Sequence, residues 1–184
     1  VVDAQDGEGY DTSQVFAISL SGLTGQVYNG STHPVTVAGV ESPFTYAVQY
    51  GGSATAPTNA GTYSVLVQIL SGTEVIGTYV TEMVIAKATA TITLANLNHT
   101  YDGTTKAASA TTNPSGLSVN ISYNPTNPVN AGSYAVTATI NDSNYEGTNT
   151  GTLVISKATA TVNISNLSQQ YDGSPKPVTV TTNP

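Results

Sequence analysis

Tyr134, Val136, Ala138 and Ile140 alternate with Ala135, Thr137 and Thr139. Successive side chains of a strand point to opposite faces, so this stretch predicts one apolar and one wettable face. Tyr63, Val65, Val67 and Ile69 carry the same pattern 71 residues earlier, and these two strands are expected to be the best buried. No stretch holds an apolar period of 3.6 residues. Turn residues recur about every 8–12 positions, in "NGS", "GVESP", "GGSATAPTNAG", "SGTE", "NPSG", "NPTNPVNAG" and "NDSNYEG". That spacing predicts a sandwich of short antiparallel strands. Thirty threonines agree with it, because branching at Cβ suits a pleated surface better than a helix.

The pattern repeats at a larger scale. "KATATITLANLNHTYDGTTKAASATTNP" (87–114) returns as "KATATVNISNLSQQYDGSPKPVTVTTNP" (157–184), with 15 of 28 positions identical and a period of 70. A more divergent copy, "ISLSGLTGQVYNGSTHPVTV" (18–37), aligns Leu20 and Leu23 with Leu94 and Leu97, and with Ile164 and Leu167. The chain divides accordingly into a leader (1–13), repeat one (14–86), repeat two (87–156) and the first part of a repeat three (157–184). A 28-residue piece cannot bury a core of its own. The expectation is therefore a section of a longer array, whose last segment is completed by packing on something else. "TEMVIAKATATITL" and "GTLVISKATATVNI" contain neither Gly nor Pro. They predict semi-rigid joints at Lys87 and Lys157 and an elongated rod.

Two short motifs recur. "NAGTYSV" (59–65) and "NAGSYAV" (130–136) are similar to the entry into strand F of immunoglobulin-like domains. There a tyrosine after a tight turn returns its hydroxyl to upstream backbone. In that reading Tyr63 and Tyr134 lock the corner. Gly61 and Gly132 supply a backbone angle that other residues avoid, and Asn59 and Asn130 bond their own backbone two residues on. Stacking on sugar is the alternative role for these tyrosines. The second motif is Tyr28-Asn29-Gly30, Tyr101-Asp102-Gly103 and Tyr171-Asp172-Gly173. Asn-Gly and Asp-Gly favour positive φ, so it reads as a turn that starts a strand.

Charge narrows the function. Only 8% of residues are charged, the net charge is −7, and all four cations are lysine. Nucleic acid binding needs Lys/Arg clusters, and an anionic membrane surface needs the same, so neither is an expected partner. No run of 18 apolar residues exists to insert into a bilayer. The absence of cysteine rules out disulfides and thiolate chemistry.

Taken together, "YDG", "NAGSYAVTATI" and the "KATATV" joint resemble the bacterial Ig-like surface repeats of the YDG and MBG families, over residues 14–184. Repeat one departs from the pattern with "YNG" and with Gln14 where the other copies have lysine. The resemblance implies tandem Ig-like β-sandwiches arranged end to end in a large secreted, adhesin-like protein at the cell surface. It supplies no catalytic residue and no cofactor. It implies neighbouring repeats of the same chain as partners, with host or environmental glycans or proteins as further candidates.

Chemistry-bearing residues are sparse. His33 and His99 stand at non-equivalent places in polar, turn-like contexts, and a Ser/His/Asp triad on either is not expected. Eleven acids are mostly lone and in loops, which disfavours paired-carboxylate hydrolysis. Asp3, Asp6, Glu8 and Asp11 in the leader offer oxygen ligands for calcium, and "NDSNYEG" (141–147) is a weaker candidate. A solvated lead-in is the ordinary alternative for the leader. Lys106 and Lys176 are candidates for isopeptide bonds to Asn or Asp, with surface lysines as the alternative. Tyr46, Tyr50, Tyr79, Tyr123 and Tyr145 are candidates for an exposed aromatic row that contacts glycan, or for cross-strand packing. The expected function is a non-catalytic stalk or filament spacer. The alternatives are a ligand-contacting adhesive module and an accessory domain of a secreted enzyme.

Overall fold

The computed structural model describes residues 16–183. The leader, with Asp3, Asp6, Glu8 and Asp11, lies outside the described residues. The chain forms two compact units, one ending at Ala90 and also including Asn141–Glu146, the other holding Thr91–Ile140 and the chain from Gly147 onward. All regular structure among the described residues is β.

In the first unit β1 (Ser19–Ser21) pairs antiparallel with β3 (Thr36–Ala38), placing Leu20 opposite Val37. A second sheet runs in the order β2 (Gln26–Val27), β6 (Glu74–Ala86), β5 (Gly61–Ser71), β4 (Thr45–Tyr50). Val65, Val67 and Ile69 of β5, with Met83 and Ile85 of β6, face Val35 and Val37 in one buried cluster. The residues alternating with them, Ser64, Leu66 and Gln68 in β5 and Val84 in β6, are less buried, so the alternation read in the sequence is the pleat itself. One short additional strand, β7 (Ala88–Thr89), belongs to this unit.

The second unit repeats the plan. Strand β8 (Thr91–Ala95) pairs with β10 (Ser109–Asn113). The larger sheet runs β11 (Val119–Asn124), β12 (Gly132–Ile140), β14 (Thr148–Ser156), β9 (Asn98–Thr100). Between β12 and β14 in sequence lies β13 (Tyr145–Glu146), which belongs to the first unit and pairs with β7. Tyr134, Val136, Leu153 and Ile155 form the core, with Leu94 and Leu97 packed against it. Finally β15 (Thr161–Ser165) pairs with β16 (Thr179–Asn183) in a two-stranded sheet whose residues are all exposed. Ile164 and Leu167, the counterparts of core-packed Leu94 and Leu97, are 55% and 71% exposed. Among the described residues, the segment supplies one side of a sandwich and no opposing sheet.

The sheets are not purely antiparallel, which corrects the sequence expectation. Three pairings are parallel: β2 with β6, β9 with β14, and β7 with β13. The cause of the first two is a kink shared by the copies. Gly22, Asn96 and Asn166 all have φ near the left-handed region, at 83°, 58° and 63°. Each sits just before the second apolar residue of its copy, and the kink lets the chain leave the two-stranded sheet. Leu23 then accepts a hydrogen bond from the Val84 amide, and Leu97 accepts one from the Val154 amide. A single extended stretch thus contributes to both layers of its sandwich.

Candidate functional site

The recurring tyrosines hold backbone rather than opening to solvent. The Tyr63 hydroxyl donates to the Asn59 carbonyl at 2.9 Å, and the Tyr134 hydroxyl donates to the Asn130 carbonyl at 2.8 Å. Two details of the sequence reading need correction. Gly132 has no positive φ and opens β12 opposite Ile155, while Gly61 opens β5 opposite Ile85 with a φ of 157°, close to extended backbone. A Cβ on Gly132 would meet the Tyr134 ring at an ordinary 3.9 Å. Asn59 contributes its backbone carbonyl, and its side-chain Oδ1 accepts from Asn144 Nδ2 at 3.2 Å instead of from its own backbone.

A second tyrosine in each unit does comparable work. Tyr50 is 7% exposed, and its hydroxyl accepts from the Val35 amide at 2.7 Å. Tyr123 accepts from the Ala108 amide at 2.8 Å. These two are thereby removed from the proposed aromatic row: each ring lies on the inward face of its sheet, and its oxygen satisfies a backbone donor near the opposite layer. Tyr145 packs edge-on against Tyr28, with centroids 5.3 Å apart. Only Tyr46 and Tyr79 of the five are largely exposed, at 46% and 48%. Tyr46 stands opposite Ile69 and Tyr79 opposite Val67, on the two strands that flank β5.

The Tyr-Asx-Gly turns share one geometry. Oδ1 of Asn29, Asp102 and Asp172 accepts the amide of Ser31, Thr104 and Ser174 respectively. Gly30, Gly103 and Gly173 have φ of 81°, 81° and 77°, which a residue with Cβ adopts at a cost. Where the turn carries aspartate, the lysine four residues on closes over it, giving the pairs Lys106–Asp102 and Lys176–Asp172. The Lys106 ammonium, followed by the Thr104 hydroxyl, holds the Asp102 carboxyl well below the usual carboxylate range. Lys176 and the Ser174 amide lower Asp172. These lysines therefore pair with exposed carboxylates.

His33 is buried, not held in an open turn as its sequence context suggested. Its amide donates to Pro57 O as the Lys106 amide donates to Pro128 O, so it occupies the Lys106 position of repeat one. Its Nδ1 lies 2.9 Å from Gln26 Oε1. His99 is half-buried, with Nε2 2.9 Å from Asn96 O. Among the described residues, no three His, Cys, Asp or Glu side chains converge to hold a metal ion. Asp142, in the weaker calcium candidate, uses Oδ1 to accept the Asn144 and Tyr145 amides.

The features that recur at equivalent places are the corner tyrosines, the bracing tyrosines and the Tyr-Asx-Gly turns. A family profile described as the MBG domain matches three consecutive stretches, residues 17–89, 90–159 and 160–184. The chain belongs to the MBG domain family. MBG domains are a family of non-enzymatic repeat domains that occur in bacterial surface proteins. No curated protein matches the chain. The MBG matches meet within the "KATA" joints, at Thr89/Ala90 and Thr159/Ala160.

The sequence reading missed the kink residues Gly22, Asn96 and Asn166, and the hydroxyl role of Tyr50 and Tyr123. Both had signals. The pattern I/L-x-[GN]-L stands in all three copies, and a tyrosine precedes the Pro-containing approach to N-A-G in both complete copies of the MBG domain.

Proposed function

We propose that this run of MBG domains is a stalk or filament spacer of a cell-surface protein, carrying a separate adhesive part away from the surface. One observation supports this reading above others. The side chains that recur between copies are spent on the fold: Tyr63 and Tyr134 on Asn carbonyls, Tyr50 and Tyr123 on backbone amides, and the Asx oxygens on their own turns. A spacer needs those positions and no others. The test is binding of the isolated 184-residue chain to glycan and host-protein arrays. The spacer reading expects no saturable binding, and micromolar saturable binding overturns it.

A ligand-contacting module is the second reading, and Tyr46 and Tyr79 favour it. Two half-exposed rings on strands of one sheet can stack on a sugar face. If array binding is found, Tyr46→Ala with Tyr79→Ala should abolish it.

A further inference from the structure

In the first unit, one surface is covered by a short turn. Asn144 Oδ1 accepts the Ala60 amide at 2.9 Å, and Nδ2 of the same side chain donates to Asn59 Oδ1. Lys87 Nζ donates to the Asp142 carbonyl at 2.6 Å. The Ala88 and Ala90 amides donate to the Asn144 and Glu146 carbonyls, both at 2.8 Å, so that β13 lies parallel to β7. Tyr145 packs its ring edge-on against Tyr28. The turn is also braced internally, with Asp142 Oδ1 accepting the Asn144 and Tyr145 amides.

The second unit possesses the same surface. Tyr101, Asn130, Ala131 and the run Lys157–Ala160 are the counterparts of Tyr28, Asn59, Ala60 and Lys87–Ala90. The backbone agrees: the Tyr28 amide donates to Ala86 O and the Tyr101 amide donates to Ser156 O, each at 2.9 Å. In this unit those residues line an open groove of about 630 Å³, with Asp102 and Gly103 at its side. Exposure differs as the missing cover requires. Ala60 and Ala88 are half-buried and Ala90 is buried, whereas Ala131, Ala158 and Ala160 are all exposed.

We infer that this groove is a receptor for the Asp-x-Asn-Tyr turn of a further MBG repeat. The occupant follows from the groove's chemistry. The Ala131 amide takes the Asn side-chain oxygen, and Lys157 takes the carbonyl of the Asp. The amides of Ala158 and Ala160 donate to the carbonyls of a parallel strand, and the Tyr101 ring takes an aromatic edge. Strand addition of this kind draws affinity from main-chain bonds and specificity from alternate side chains. The inference goes beyond the spacer role and does not depend on it, since a ligand-contacting array would need the same receptor.

The probe is the peptide Asn-Asp-Ser-Asn-Tyr-Glu-Gly, a copy of residues 141–147. It is added to the isotope-labelled 184-residue chain, and also fused behind Pro184 through a flexible Gly/Ser linker. The fusion raises the effective concentration to the order of millimolar, so a weak site still fills. Amide resonances of Ala131, Ala158 and Ala160 should shift, and in the fusion their hydrogen exchange should slow at least about tenfold. A peptide carrying Tyr145→Ala should bind about tenfold more weakly through loss of the aromatic contact. Two results overturn the inference: no shift in the fused chain, or shifts confined to Tyr28, Asn59 and Ala60 through exchange with the resident turn. Protection of Ala158 and Ala160 that rises with chain concentration in the absence of peptide also overturns it, because the occupant is then a second copy of the chain. Array binding is read separately, so failure here and failure of the spacer reading are told apart.

Discussion

The amide of Val35 donates to the hydroxyl of Tyr50 at 2.7 Å, in a site where both residues are 7% exposed. Val35 leads into β3 and Tyr50 ends β4, so this one bond links the two layers of the first unit's sandwich. No disulfide does so, since the chain has no cysteine.

Tyr50→Phe keeps the ring and removes only the acceptor. A buried amide left without a partner costs about 1–3 kcal/mol. For a domain of this size that lowers the melting temperature of the first unit by roughly 4–8 °C per kcal/mol. Tyr123→Phe should cost less, because its bond to Ala108 is only partly buried and water can replace it. The two variants are compared by thermal unfolding followed through unit-specific amide signals. Equal melting of Tyr50→Phe and the unaltered chain would remove the bracing role.

The corner tyrosines differ in the same way. Tyr134 is 8% exposed, while Tyr63 is only half-buried. Tyr134→Phe should therefore destabilise by about 1 kcal/mol and Tyr63→Phe by less. Urea unfolding of the two variants checks the order. A larger loss from Tyr63→Phe would mean that burial does not set the strength of these bonds.

Much of this architecture was legible because it rests on period. Buried Val65, Val67 and Ile69 alternate with less buried neighbours, and Tyr134, Val136, Ala138 and Ile140 alternate with Ala and Thr, so period alone placed their faces. The copies were legible because 15 of 28 residues coincide. What could not be read is what depends on partners distant in sequence. Asn144 reaches Ala60, 84 residues away. Nothing in "NDSNYEG" distinguishes a docked turn from a solvated or calcium-holding one. His33 looked polar in context and is buried, because the fold places its amide against Pro57. The parallel edges escaped for a different reason: a single left-handed residue, Asn96, redirects the strand, and asparagine in a chain rich in it draws no notice.

Asp102 offers a pH test. Its carboxyl is lowered by the Lys106 ammonium first and the Thr104 hydroxyl second. A folded-state pKa below the unfolded one stabilises the fold above the unfolded value. That contribution is lost as pH falls from the unfolded pKa through the folded one. The turn should therefore hold unchanged from neutrality down to the ordinary carboxylate range, and loosen only on further acidification. Carbon-detected titration of Asp102 should show its midpoint rising toward the ordinary value in Lys106→Met. The pair is exposed, so global stability at neutral pH should change little. An Asp102 midpoint that ignores the substitution would assign the shift to the turn alone.

Asn144→Ala tests the turn seated on the first unit. The substitution removes the acceptor of the Ala60 amide and the donor to Asn59 Oδ1, while leaving the Ala88–Asn144 and Ala90–Glu146 backbone bonds possible. The Ala60 amide is only part-buried, so water partly replaces the lost acceptor, and a cost of about 1 kcal/mol is expected. The loss is local. Hydrogen exchange of the Ala60, Ala88 and Ala90 amides should accelerate about five- to tenfold, with Val136 and Leu153 of the second core unchanged. Asn144→Asp separates the two functions of the side chain: it keeps an acceptor for Ala60 and replaces the donor to Asn59 with an oxygen facing an oxygen. If Asn144→Asp exchanges like Asn144→Ala, the amide donor is what seats the turn. If it exchanges like the unaltered chain, the bond to Ala60 suffices.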